Sequence, residues 1–221
     1  MASLVGSRVE RKEDKKFLTG RGKYTADVNF VHQTYAYFVR SPHARAQIKK
    51  VDISKALKAS GVVSVLTGAD IANDKIGELI AGWRIKSEDG SDMKVPPHPP
   101  LANETVNYVG DHVAVVIAES LDEARAAADL VKVDYKVLKA VVSTKDTMNS
   151  DQIYKDIPKN MCFDWLLGDR AKVKEAFENA DKIIKIDIVN NRLIPNAMEP
   201  RAANADYNPS TEEITLYTTS Q

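Results

Sequence analysis

The stretch from Leu101 to Leu138, LANETVNYVGDHVAVVIAESLDEARAAADLVKVDYKVL, restricts the fold more than any other. His112 to Ala118 is a short, almost uninterrupted apolar run, the pattern of a strand covered on both faces. Ser120 ends it and opens a helix. Its hydroxyl can accept the backbone N–H of Glu123 while Glu123 reaches back, which is a capping box. Leu121, Ala124, Ala128 and Val131 recur at helical spacing and predict the buried stripe, with Asp122, Glu123, Arg125 and Asp129 on the other side. Lys132 to Leu138 then alternates, Val133, Tyr135 and Val137 against Lys132, Asp134 and Lys136, as a half-exposed strand does. This strand–helix–strand unit carries no reactive set of its own and reads as scaffold.

The remaining chain adds strands without completing a familiar doubly wound order, so the fold class is α+β. Thr34–Arg40 and Arg45–Val51 are strand candidates separated by Ser41-Pro42-His43-Ala44, and Val62–Leu66 is another. A short helix is expected between Asp52 and Gly61, and a turn of helix within Asp70–Ile80. Trp83–Pro100, with Val95-Pro96-Pro97-His98-Pro99-Pro100, reads as the loosest segment, extended where proline forbids a ladder, and is either a solvent-exposed excursion or a binding lip. Composition changes near Val142, where a domain boundary is expected. Beyond it, Asp169–Ala180 predicts a helix with Val173, Ala176, Phe177 and Ala180 on its stripe; burial of Val173 and Phe177 is expected to contribute roughly 1.5–3 kcal/mol each. Lys182–Val189 alternates as a strand through Ile184, Ile186 and Ile188. Met198–Asp206 and Ile214–Thr218 are strand candidates around the turn signal Asn208-Pro209-Ser210. The stretch to Lys16 is polar and reads as a solvated lead-in, and Thr19–Gly22 as a turn rather than a phosphate loop.

Charge and cysteine content exclude several classes. Acidic and basic residues balance at 31 each among 221, so no basic face announces nucleic acid. No apolar run is long enough to span a bilayer and no leader pattern is present, so a soluble, cytoplasmic protein without membrane contact is expected. Cys162 is the sole cysteine, which excludes an internal disulfide, and His32, His43, His98 and His112 form no ligand pair, so no metal ligands are assigned. His43, at a strand break, lacks an evident orienting carboxylate. Glu199-Pro200-Arg201 suits either an anion site at Arg201 or an ion pair holding a strand end, the commoner arrangement. Cys162 sits between Met161 and Phe163, an apolar setting in which a thiol is inert, and Ser220 has no nucleophile-elbow context. No complete catalytic set emerges.

Several stretches taken together resemble a known family. Phe38-Val39-Arg40-Ser41-Pro42-His43-Ala44-Arg45-Ala46 resembles the FVRSPHAHARI segment near the start of the molybdenum hydroxylase large subunits, the family of xanthine dehydrogenase, aldehyde oxidase and aerobic carbon monoxide dehydrogenase. Gly61–Asp70 is similar to its GVxAVLTAADL stretch, Leu101-Ala102 with Val106–Ala114 to PLA…VRYVGEPVA, and Val133–Leu138 to VxYEPL. Trp165–Gly168, the helix after Asp169 and Met198-Glu199-Pro200-Arg201 follow in the family's order. Departures are Asp111-His112 in place of Glu-Pro, Asn196-Ala197 in place of Asn-Pro, and no histidine in Arg192–Pro195.

The resemblance implies residues 1–17 as a lead-in, 18–140 as an α/β hammerhead domain and 141–221 as the beginning of a molybdopterin-binding α+β domain. Thr218-Thr219-Ser220-Gln221 is similar to the family's TSQ or TFQ, which implies that Gln221 hydrogen-bonds an oxygen ligand of molybdenum. The implied activity is hydroxylation of an aldehyde or N-heterocycle, or oxidation of carbon monoxide. Water supplies the oxygen, molybdenum accepts two electrons, and an iron–sulfur small subunit and an FAD-binding medium subunit carry them away. The family's glycine-rich pterin-holding segments and its glutamate base are not found in these residues. The chain is therefore expected to be a truncated piece or a naturally split subunit. Without the remainder of the large subunit, it is expected to be inactive and not to retain molybdenum–molybdopterin. The alternative is a non-catalytic hammerhead-type interaction or assembly module.

Overall fold

The computed structural model describes residues 5–220. Its elements in chain order are α1 (Asp14–Leu18), β1 (Tyr35–Arg40), β2 (Ala46–Asp52), β3 (Val62–Thr67), α2 (Gly68–Asn73), β4 (Thr105–Val106), β5 (His112–Ala118), α3 (Leu121–Ala128), β6 (Lys132–Val137), α4 (Arg170–Glu178), β7 (Ala203–Asn208) and β8 (Glu213–Thr218), with single 3-10 turns between some of them. The chain divides into two compact units. One comprises Thr34–Lys185; the other joins the stretch up to Gln33 with the stretch from Ile186 onward.

Two antiparallel three-stranded sheets build the Thr34–Lys185 unit, in the orders β1-β5-β3 and β4-β2-β6. The apolar run His112–Ala118 takes the central place in the first, paired on both sides. Val113 and Val116 are three residues apart, so they point to opposite faces of β5. Val116 packs with Val65, Ala56, Ala127 and Ala128, and Val113 with Ala46, Ala102 and Val106. β5 thus feeds both cores, which is why it tolerates almost no polar residue.

α3 begins as its cap predicts: the Ser120 hydroxyl accepts the Glu123 N–H at 3.2 Å. The Ser120 hydroxyl donates in turn to the Glu123 carboxylate at 2.7 Å. The stripe is rotated from the expected one, however. Ala124, Ala127 and Ala128 are buried, while Leu121 is 52 % exposed. Small residues let the helix lie close to β1 and β5. In β6 Val133 and Tyr135 face inward as predicted, but Val137 is exposed.

Between Asp52 and Gly61 there is only one 3-10 turn, Ala56–Lys58, introduced by Asp52, whose carboxylate accepts the Ser54 N–H and hydroxyl. α2 is closed by a capping box in which Asp70 accepts both the N–H and the hydroxyl of Thr67 at 2.7 Å. The proline-containing stretch lacks strands, yet backbone bonds hold it. Leu79 N–H reaches the His98 carbonyl, Met93 N–H reaches Ile85, Lys94 N–H reaches Cys162 and Glu88 N–H reaches Asp164. Glu88 also pairs with Arg170 at 2.6 Å.

Two expectations beyond residue 160 fail. α4 forms, capped by Asp169 accepting from Lys172 N–H at 3.1 Å. Its stripe is uncovered, though: Val173 and Phe177 are 54 % and 57 % exposed, so the expected burial energy is not realised in this chain. Lys182–Val189 alternates but forms no ladder, and Ile184, Ile186 and Ile188 are exposed. Alternation reports which side chains seek a core; a strand also needs a neighbour for its backbone.

In the other unit, α1 is a one-turn helix in the polar lead-in, and Gly20 just after it adopts a positive φ of 69°. The Asn208-Pro209-Ser210 signal makes the β7–β8 hairpin, which pairs from Ala203↔Thr218 to Asn208↔Glu213. Asn204 ties β7 to the N-terminal stretch by donating to the Val28 carbonyl at 2.6 Å and to the Gln33 side-chain oxygen at 2.9 Å. Phe30 packs against Tyr217 with ring centres 5.4 Å apart.

Candidate functional site

Gln221 lies outside the described residues. The hairpin leading to it extends its ladder by one further position. Thr219 N–H donates to the Ala202 carbonyl at 3.1 Å, and the Thr219 hydroxyl accepts the Ala202 N–H at 2.8 Å. Ser220 therefore comes after a residue fixed by its own side chain rather than a free strand end. On the adjoining strand entry, the Glu199 carboxylate accepts the Thr25 N–H at 3.0 Å. This corrects the expected ion pair: Glu199 anchors the segment through a neutral backbone donor, and among the described residues Arg201 has no carboxylate within ion-pair distance.

The other sequence candidates stay apart from this hairpin. His43 belongs to the Thr34–Lys185 unit, where its N–H donates to the Ser41 hydroxyl at 3.0 Å and its ring meets Tyr135 edge-on with centres 5.0 Å apart. Cys162 is half-buried, and its setting is not apolar as expected. Met161 and Phe163 line its cleft as expected, but so do Glu88, Asp89, Asp92, Lys94 and Asp164, a mixed and mainly polar lining. Among the described residues no three histidine, cysteine, aspartate or glutamate side chains are placed to hold a metal ion.

Sequence reasoning missed a cluster around Asp111. Asp111 as a residue is only 8 % exposed and lines a cleft with Tyr108 and Tyr154. Burial pushes both phenols above their ordinary range, and the charge of Asp111 acts in the same sense. Burial also raises Tyr135 and lowers the neighbouring His112, the latter with the Arg40 charge acting alongside. The available signal was the departure at Asp111-His112 from the usual Glu-Pro.

The family model described as aldehyde oxidase and xanthine dehydrogenase, a/b hammerhead domain, matches residues 19–139. The chain belongs to the aldehyde oxidase and xanthine dehydrogenase family. A second family model, the molybdopterin cofactor-binding domain, matches residues 153–221. Among relatives of this chain, the nicotine 6-hydroxylase large subunit of Paenarthrobacter nicotinovorans is 34 % identical, over 99 % of this chain and 26 % of its own length. The carbon monoxide dehydrogenase large chain of Afipia carboxidovorans is 31 % identical, over 98 % of this chain and 27 % of its own. The crystal structure of quinoline 2-oxidoreductase from Pseudomonas putida 86 superposes with a TM-score of 0.78 at 30 % identity, covering 98 % of this chain and 27 % of that one. The chain thus spans about a quarter of the length of the relatives it matches.

The matched region is that of a molybdopterin-dependent oxidoreductase large subunit, and the family's cofactor is molybdopterin. The described residues around the hairpin do not by themselves fit that group. β8 is exposed along its whole length, β7 is half-buried only at Asn204, and the Thr219 hydroxyl is engaged by Ala202. Among the described residues no helix is long and apolar enough to cross a membrane.

Proposed function

We propose that this chain supplies the hammerhead domain, residues 18–140, and the opening of the cofactor-binding domain, residues 141–221, of a molybdenum hydroxylase or dehydrogenase, with residues 1–17 as a lead-in. The successive matches at 19–139 and 153–221 support that division. Two of the similar proteins are named for N-heterocycles, nicotine and quinoline, and one for carbon monoxide. The assembled enzyme accordingly hydroxylates an N-heterocycle or aldehyde, or oxidises carbon monoxide. An iron–sulfur and an FAD-binding subunit act as electron carriers, and Gln221 donates a hydrogen bond to an oxygen on molybdenum.

The chain alone neither retains molybdenum nor turns over. The observation that carries this is physical: Ile184, Ile186 and Ile188 alternate as a strand does yet are exposed, and the β7–β8 hairpin encloses no donor set. Apolar residues in that pattern need further protein to cover them. The test is metal analysis of the complex recovered from native cells through a tag on this chain, together with turnover by the purified 221-residue protein. Molybdenum and iron in the complex, with no turnover by the isolated chain, is the expected result. A complex free of both metals would instead mark a non-catalytic assembly module, and turnover by the chain alone would overturn the claim of inactivity.

A further inference from the structure

Asp111 is buried more deeply than its evident structural task requires. The loop before β5 is closed by the Asn107 N–H donating to Asp111 Oδ2 at 3.0 Å, and by backbone bonds that join Gly110 and Asp111 to Ser41. One neutral carbonyl would serve the Asn107 N–H equally well. A carboxylate offers about four acceptor positions, so capacity remains after Asn107 and the nearby Tyr108 hydroxyl are counted. Among the described residues no cationic side chain stands within ion-pair distance of it. Arg40 and Arg45 bear on Tyr108 and Tyr154 from farther off, but neither lines this cleft. A buried, unpaired carboxylate is costly to the fold and is normally matched by a cation.

The space beside it is suited to one. The cleft measures about 330 Å3, near the lower end for small-molecule sites. Met93, Pro97, His98, Tyr108 and Tyr154 are among the residues lining it. Leu79 N–H bonded to the His98 carbonyl ties down the proline run. An ammonium group there would donate a charge-assisted hydrogen bond to the carboxylate and gain favourable ring contacts, while an apolar body would cover Met93 and the prolines.

We propose that this cleft binds a small organic ammonium, with Asp111 accepting from its N–H groups. The site lies wholly within the Thr34–Lys185 unit and does not depend on the molybdenum assignment. The test is a calorimetric titration of the 221-residue protein with benzylammonium, with benzyl alcohol as the neutral ligand of the same shape and benzoate as the opposite charge. Benzylammonium is expected to saturate and to bind about tenfold or more tightly than the alcohol, with no binding of benzoate. Asp111→Asn, which keeps a carbonyl for Asn107, should bring benzylammonium down to the level of the alcohol. Equal affinity for the charged and neutral ligands in the unaltered protein would overturn the proposal, and that comparison requires no variant to fold. So would full retention of binding in a folded Asp111→Asn protein, or a loss caused instead by Asp92→Asn, which alters the separate acidic cleft beside Cys162.

Discussion

Val116→Ala probes the claim that β5 carries the cores of the Thr34–Lys185 unit. Val116 has no exposed surface, lies on the central strand and packs against Ala127 and Ala128 of α3 and Val65 of β3. The substitution removes two methyl groups; at about 0.8 kcal/mol per buried methylene the transfer loss is about 1.6 kcal/mol. A cavity bounded by a helix of small residues cannot collapse easily, because alanines have no side chain to move into it. The total should therefore reach about 2–3 kcal/mol. In a unit of this size that lowers the melting temperature by about 4–12 °C. Val63→Ala on β3 is the control, since Val63 is 59 % exposed and in a strand of the same sheet; its cost should stay below about 0.5 kcal/mol. Urea unfolding followed by circular dichroism measures both. If the two variants lose similar stability, the central role given to β5 is wrong.

Local contacts set three further outcomes. Ser120→Ala should cost about 0.5–2 kcal/mol in the same urea assay, because the Glu123 N–H loses its acceptor. The Asp70 carboxyl is held below its ordinary range by the Thr67 hydroxyl and then by the Thr67 N–H. A depressed folded-state pKa contributes stability above the unfolded value of 3.8 and loses it as pH falls through the folded value, so Asp70→Asn should flatten the acid limb of a stability–pH curve below about pH 4 and be least stable relative to the parent near neutrality. Arg45→Ala should speed amide exchange over residues 139–153. The guanidinium donates to the carbonyls of Lys139, Gln152 and Ile153, and its buried Nε has no protein acceptor among the described residues, so the side chain is committed to that segment. Unchanged exchange by mass spectrometry would remove Arg45 from this role.

Sequence pattern sufficed where a segment's neighbours are supplied nearby. His112–Ala118 could be placed as a buried strand, and Ser120 as a cap, because run length and cap chemistry are local properties. The same logic overreached at Leu121, since a periodic stripe does not say how closely a helix approaches its sheet; three alanines settle that here. It failed at Ile184, Ile186 and Ile188, where the period was right and no neighbouring strand exists among the described residues. At Trp83–Pro100 local composition leaves open whether the segment is ordered; it is held by bonds to Cys162 and Asp164, distant in sequence and invisible to any window.

The candidate sites divide along the same line. Gln221 is legible only through resemblance, because a glutamine at the end of Thr218-Thr219-Ser220 has no chemistry that its spacing reveals. What the fold adds stops at Thr219, which commits its hydroxyl to Ala202 and thereby fixes its own backbone at the end of the hairpin. Thr219→Val keeps the β-branched shape while removing that acceptor. Amide exchange should then show the hairpin still paired at Ala203↔Thr218 and the backbone loosened only beyond Thr219. Asp111 is the converse case. Its chemistry is plain in sequence, but the cleft it lines is assembled from residues near 79–99, from its own loop and from Tyr154, three separate segments. A residue type shows what a group can do; only the assembled loops show how deeply it is buried, and for a carboxylate depth is what distinguishes a solvated surface charge from a candidate binding group.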